Sequence, residues 1–267
     1  MSYSCKILAD SQSEHSRLTT FEVTFPRFIL AEVNTHRMLS RNSASSRAIP
    51  TETLIQRVVD DPFVPESFGR RVKGMGVGVD LPADEYDDAR QVWMEARDAA
   101  VSAARALLHV DKSRANRLLE PFMWHTAIIS ATDWDNFFNL RCHPDAQPEF
   151  QRIARMMRDS RDAHEPQRLA AGGWHLPLIR PDERGLFSPV DLAAASAGRC
   201  ARVSYDRHNT DDSIEAAGAR WDRLNLAGHW SPGEHPAQAT VLATRYGNFM
   251  GFCQLRKMYP GEDIFMA

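Results

Sequence analysis

The stretch Thr20-Phe-Glu-Val-Thr-Phe25, followed by Pro26-Arg-Phe-Ile-Leu-Ala-Glu-Val-Asn34 and Thr35-His-Arg-Met-Leu-Ser-Arg-Asn-Ser-Ala-Ser-Ser-Arg47, decides most of the reading. Its first six residues alternate apolar and polar, with Phe21, Val23 and Phe25 on one face, the pattern of a half-buried strand. Pro26 stands where a first helical residue belongs, since a missing N–H costs nothing there. Residues 27–39 therefore read as a helix. From Ser40 to Arg47 short hydroxyl side chains compete with the backbone for hydrogen bonds, so the helix is expected to end there in a loop.

Outward from this stretch, residues 84–109 read as a long helix with Ala89, Val92, Ala96, Ala100, Ala103 and Leu107 as its apolar stripe. Residues 126–129 read as a strand. Thr132 is expected to cap a helix carrying Phe137, Phe138 and Leu140, and a further helix follows Pro148 through Ile153, Met156 and Met157. Prolines and Gly74, Gly76 and Gly78 mark residues 61–83 as a mobile surface loop. Residues 200–205 read as a strand or strand edge, and 239–243 as another strand. No low-complexity linker divides residues 1–267, so a single domain is expected. Glu14-His15 and Glu234-His235 echo one another, each before a strand.

Composition narrows the function. In 267 residues, 43% are hydrophobic and 25% charged, and 32 Lys plus Arg against 35 Asp plus Glu give a net charge of −3. That is globular composition with no overall electrostatic pull toward nucleic acid or an anionic membrane. The apolar runs are too short to span a bilayer, and no leader pattern is seen at the N-terminus. Cys5, Cys142, Cys200 and Cys253 form no C-x-x-C pair and no disulfide framework. A soluble, cytoplasmic protein is expected.

Three clusters carry chemistry. Residues 35–47 place three arginines and a histidine among four serines and an asparagine. Arginine forks grip phosphate, and hydroxyls and loop amides fill its other acceptor sites; a solvated Arg/Ser loop is the competing reading. Arg117 and residues 132–141 form the second cluster. There Asn136 and Arg141, about 140° apart on a helix, can line two walls of a cleft, although Arg141 at a helix C-terminus also suits the helix dipole. Cys142-His143 lacks a spaced partner pair for zinc. The third cluster is Gly228-His-Trp-Ser-Pro-Gly-Glu-His235, a Pro/Gly turn that can aim several polar groups at one ligand or simply hold a structural histidine. The helical H-E-x-x-H spacing is absent. The three glycines of 74–78 do not open a helix after a strand, so they are no dinucleotide fingerprint, and neither a P-loop nor a G-x-S-x-G elbow is present.

These residues resemble the flavin-dependent thymidylate synthase family, whose motif Arg-His-Arg-x-x-Ser-x-Asn-x-x-Ser-x-Arg is matched by His36, Arg37, Ser40, Asn42, Ser45 and Arg47. Arg117 and Pro121, Asn136 to Arg141, residues 201–204 and residues 228–235 resemble further family segments. The last two segments precede the Arg-rich motif in most members and follow it here, as in a circularly permuted or rearranged member. The resemblance implies an α+β, thymidylate synthase-complementing-protein-like fold, with a mixed or antiparallel sheet flanked by helices. It implies a homotetramer with active sites between subunits. It implies bound FAD, reduced by NADPH, and transfer of a methylene group from methylenetetrahydrofolate to C5 of dUMP.

By matched position, Ser45, Arg47, Arg117 and Arg141 would hold the nucleotide, with Glu32 near its base. His36, Arg37, Asn136, Ser204, His229, Ser231 and Glu234 would face the flavin. The catalytic group would comprise Arg141, Ser45 and His36. Thr35 stands where the family has its first motif arginine, Ser43 where it has Glu, and Ala48 where it has Tyr. Ser130 and Thr132 replace an Asn and an Arg that touch flavin. Glu32 replaces a common Gln and would suit an amine donor such as that on cytosine, which keeps UMP and dCMP beside dUMP as substrates, for methylation or hydroxymethylation. A non-catalytic nucleotide-binding homologue is the rival that Thr35 and Thr132 suggest.

Overall fold

Strands β1 (Ser4–Gln12) and β2 (Arg17–Pro26) form an antiparallel hairpin. Ser13 closes its turn, its Oγ accepting from the backbone N–H groups of His15 and Ser16. The structure is a computed structural model that describes residues 2–74, 76–203 and 211–261. Beyond Pro26 the chain makes a 3₁₀ turn and the short helix α1 (Leu30–Val33), then β3 (Ser40–Ser43). The helix expected over 27–39 therefore stops at Val33. The chain has to reverse so that β3 can pair with the later strand β4 (Trp124–Ala131). Carbonyls released by the broken helix are taken up by Arg41, whose Nη1 donates to Val33 O at 3.2 Å and to His36 O at 2.8 Å.

Helices α2 (Thr51–Asp60), α3 (Ala83–Ala106) and α4 (Lys112–Ala115) lie between β3 and β4, with a 3₁₀ helix over Asn116–Phe122. After β4 come α5 (Asp135–Arg141), α6 (Pro148–Asp162), β5 (Gln167–Arg168) and β6 (Trp174–His175). Helices α7 (Pro189–Cys200) and α8 (Ile214–Leu226) follow, then β7 (Ala237–Ala239), β8 (Arg245–Tyr246), β9 (Phe249–Met250) and β10 (Phe252–Gln254). The main sheet runs β3-β4-β2-β1-β5, antiparallel except for β5, and a smaller sheet runs β10-β7-β6. This is the mixed, helix-flanked α+β architecture expected. No helix among the described residues is long and apolar enough to cross a membrane.

One face of the main sheet carries Phe21, Val23 and Phe25 into a core with Ile129, Trp134, Phe137 and α6. The α6 residues Phe150, Ile153, Ala154 and Met157 are buried at i, i+3, i+4 and i+7 spacing. The other face of β2 is covered too: Leu18 and Thr20 are fully buried, with Leu18 packed against Ala237, Ala239, Phe249 and Phe252. The strand is therefore not half-buried as its alternation suggests, because the C-terminal third packs across its polar face.

Three other expectations are corrected. The buried side of α3 is Val101 and Ala104 with Trp93 packed beside them, and Val92 is 64% exposed. The helix is rotated by its tryptophan: Trp93 meets the rings of Phe28, Phe63, Phe68 and Phe122 and donates from Nε1 to Phe63 O at 2.9 Å. Thr132 does not cap α5. Its hydroxyl donates to Asp133 and accepts from Met250 N, tying β4 to β9. Cys200 ends α7 and residues 201–203 are a turn rather than a strand, with 204 and 205 outside the described residues. In the 61–83 segment, Arg70 N donates to Val79 O and Leu81 N to Phe68 O, so its two arms are hydrogen-bonded to each other.

Helices α7 and α8 meet where α7 has no side chain. A Cβ on Gly198 would lie 1.9 Å from Ala217 O. Gly198→Ala is expected to push the helices apart and lower stability by about 1–3 kcal/mol in urea unfolding. Gly218→Ala, where a Cβ meets nothing within 4 Å, is expected to be neutral or slightly stabilising.

Candidate active site

The site begins with His36 and Arg141. The α1 turn brings His36 into a buried position, ringed edge-on by Phe137 at 5.0 Å and Phe150 at 6.0 Å. Helix α5 ends at Arg141, whose Nε donates to His36 Nε2 at 2.8 Å and whose Nη2 donates to Thr35 Oγ1 at 3.3 Å. The guanidinium carbon lies 4.6 Å from the centre of the Phe150 ring, a cation–π seat. Burial, then the charges of Arg141 and Arg41, lower the His36 pKa to about 4. The ring is thus neutral at pH 7, with a lone pair on Nε2 for Arg141 and its proton on Nδ1.

Strand β3 brings the third cluster to the first. Asn42 Nδ2 donates to Cys200 O at 2.8 Å, and Asn42 Oδ1 accepts from Ser231 Oγ at 3.4 Å. Glu234 acts on Arg41 through its charge and forms a short ion pair with Arg256. Gln254 Nε2 donates both to Ser40 Oγ at 2.9 Å and to Glu234 O at 3.0 Å. The 35–47 motif, the end of α5 and the turn at 228–235 are therefore joined by side-chain contacts.

Beneath the motif runs a buried chain of hydroxyls and imidazoles. Ser11 Oγ meets His175 Nδ1 at 2.8 Å, and His175 Nε2 meets Thr20 Oγ1 at 2.7 Å. Thr20 Oγ1 meets Ser130 Oγ at 2.6 Å, and Ser130 Oγ meets His235 Nδ1 at 2.8 Å. His235 Nε2 has no hydrogen-bond partner among the described residues. Burial lowers the pKa of both His175 and His235 to about 3, so each ring is neutral. One proton order suits this ending best. His235 Nδ1–H donates to Ser130, each group hands on in turn, and His175 Nδ1–H donates to Ser11. The unpartnered atom is then a lone pair rather than an N–H.

The remaining expected residues are placed as follows. Ser45 and Arg47 lie on the exposed turn after β3, where Ser45 Oγ accepts from Arg47 N at 3.3 Å. The Arg47 and Arg37 side chains and that of Asn136 are exposed, with no hydrogen-bond partner among the described residues. Arg117 is turned onto Glu120 at 3.0 Å, a carboxylate that Arg27 also holds at 2.9 Å. His229 is exposed, Ser204 lies outside the described residues, and Glu32 has one buried carboxylate oxygen, Oε2, with no hydrogen-bond partner among the described residues. No three His, Cys, Asp or Glu side chains among the described residues are grouped to hold a metal.

Sequence reasoning missed Phe150, whose ring supports Arg141, because it reads as a core position of α6. It also missed His175, which lies outside every motif, and Asn116, which only its neighbour Arg117 could have drawn attention to.

The family described as thymidylate synthase complementing protein matches residues 8–167. The chain belongs to that family. The segments around 200 and 228–235 lie beyond the matched stretch. Among solved structures, a UMP/dUMP methylase from Streptomyces cacaoi, PolB, bound with 5-Br UMP, is similar at 16% identity and a TM-score of 0.50, covering 60% of this chain and 88% of that one. The same methylase bound with 5-Br dUMP is similar at 15% identity and a TM-score of 0.49, covering 60% of this chain and 89% of that one. The first of these likenesses supports the fold. No curated protein matches.

Four buried histidines link the fold to pH, since burial lowers His36 to about 4 and His125, His175 and His235 each to about 3. Below the unfolded value of about 6.5, the unfolded chain takes up protons that the folded chain refuses. Their contribution is therefore complete above about pH 6.5 and is lost progressively as pH falls toward 4 and 3. Urea unfolding is expected to show a loss on the order of 1 kcal/mol per buried histidine by about pH 5.5. Replacing His36 with Gln is expected to flatten the curve by one such increment.

Proposed function

We propose that the protein is a flavin-dependent C5 methyltransferase of pyrimidine nucleotides, converting dUMP to dTMP with methylenetetrahydrofolate and NADPH. The observation that carries this reading is Arg141, held by neutral His36 and seated on Phe150, in a chain of the thymidylate synthase complementing protein family. A fixed guanidinium with N–H groups to spare is the donor set a pyrimidine carbonyl needs.

The residues fit a flavin. Arg37 presents an exposed cation with no partner among the described residues, and Asn136 and His229 present amide and imidazole groups on exposed segments. Ser231 and Glu234 meet the Arg/Ser motif through Asn42 and Arg41. With Thr35 in place of an arginine, a flavin diphosphate would meet one cation fewer here. Bound and reduced, the flavin supplies electrons for reducing the transferred carbon to a methyl group.

The protein supplies placement and charge. C5 of uracil is a poor nucleophile, and Arg141 hydrogen-bonded to a ring carbonyl stabilises the negative charge that develops as C5 attacks. Ser45 and Arg47 hold the phosphate, and Arg117 joins them when it leaves Glu120, whose charge Arg27 still compensates. With the phosphate fixed, the ring position follows. His36 acts by keeping Arg141 in place without competing for its charge. Since Arg37, Arg47 and Asn136 face outward, the reading includes a homotetramer in which a neighbouring subunit completes each site. A second substrate reading, dCMP or UMP in place of dUMP, is favoured by the unpartnered Glu32 oxygen, an acceptor suited to an exocyclic amine.

Purified protein incubated with NADPH, labelled methylenetetrahydrofolate and, separately, dUMP, UMP and dCMP is expected to label the C5 substituent of dTMP. Arg141→Ala is expected to lower kcat by about 10²–10³-fold. Unchanged turnover in that variant would overturn the site. Label in a dCMP product alone would establish the second reading.

A further inference from the structure

We infer that Asn116 is a positioning residue that holds the Ser45–Arg47 turn ready for a phosphate group, an inference that rests on the nucleotide reading of that turn. Asn116 is fully buried at the start of the 3₁₀ helix over Asn116–Phe122. Its Nδ2 donates to Ser46 O at 2.5 Å and to Ile49 O at 3.1 Å. These two carbonyls bracket Arg47 and Ala48. Inside the turn, Ala48 N donates to Ser45 O at 2.9 Å, and Arg47 N donates to Ser45 Oγ.

The turn needs an outside anchor. β3 ends at Ser43 and α2 begins at Thr51, and the intervening stretch has no repeating backbone ladder. The cap position of α2 is Pro50, with no side-chain hydrogen bond. Arg47 itself projects from the surface with no partner among the described residues, so its guanidinium is only as well placed as the backbone that carries it. A flexible arginine on a loose turn would have to be ordered by the ligand, and that cost is subtracted from affinity. Asn116 meets the cost in advance. Ser46 Oγ and Asn116 Oδ1 are both buried without a hydrogen-bond partner among the described residues, so the Asn116 amide acts on the turn through its N–H groups.

The same residue also couples the two arginines. Asn116 immediately precedes Arg117, so its side-chain amide links the segment that carries Arg117 to the turn that carries Arg47. Arg117 shares Glu120 with Arg27, whose bond to it is 2.9 Å, so Arg117 can turn toward an anion without leaving that carboxylate unpaired. The backbone segments at Arg47 and Arg117 are therefore tied together by a single buried amide.

The test compares wild type with Asn116→Asp, which replaces the donor with an acceptor of the same shape, and Asn116→Ser, a shorter side chain in case the acid prevents folding. Binding of dUMP and of deoxyuridine is measured by calorimetry, and amide hydrogen exchange is followed over residues 45–48. The variants are expected to weaken dUMP by about tenfold, leave deoxyuridine unchanged, and speed exchange at 45–48 by at least about tenfold. Unchanged exchange at those amides would overturn the inference. Equal weakening of dUMP and deoxyuridine would also overturn it, because Asn116 would then support the whole fold and not the phosphate turn. If wild type itself fails to prefer dUMP over deoxyuridine, the nucleotide reading of the turn fails and takes this inference with it. If wild type prefers dUMP and the variants keep that preference in full, the inference alone fails.

Discussion

An uncharged imidazole accepting a hydrogen bond from a guanidinium holds the candidate site together. His36 and Arg141 arrive from segments more than a hundred residues apart, and their 2.8 Å contact brings the Arg/Ser motif against the end of α5. The contact works only while the ring is neutral. A protonated His36 would put a second cation against Arg141 and remove the lone pair that receives its N–H. Burial among Phe137 and Phe150 keeps the ring neutral, and the same aromatic core seats the guanidinium. Hydrophobic packing thus fixes a protonation state, and the protonation state fixes the placement of a charge.

The same logic recurs under the sheet. Thr20 and Ser130 point away from the apolar core, from central strands whose hydroxyls would be costly to bury alone. His175 and His235, contributed by the C-terminal third, satisfy them. Because neither ring is charged, the chain is a set of neutral dipoles aligned in one sense, which avoids the desolvation penalty of a buried ion pair. The segment at 228–235 is thereby tied both to the sheet through His235 and to the motif through Ser231 and Asn42.

Much of this was legible in the sequence. Phe21, Val23 and Phe25 reported β2, Pro148 with Ile153, Met156 and Met157 reported α6, and the residues around His36 and Arg141 drew attention to the candidate site through family resemblance. What was not legible depends on tertiary contacts. The helix over 27–39 stops early because β3 must pair with β4, and no local signal states that pairing. The face of α3 was misread because small alanines recur on more than one side of it, and only the ring cluster around Trp93 selects the buried one. Asn116 and His175 escaped notice because each acts on a distant backbone or hydroxyl group, and an isolated Asn or His carries no periodic signature.

The family match ends at residue 167, yet the polar face of the sheet is completed by residues 175 and 235. For heredity this makes the later third inseparable cargo. Severing it would expose the Thr20 and Ser130 hydroxyls and strip Asn42 of both its partners, so the two regions stand or fall as one heritable unit.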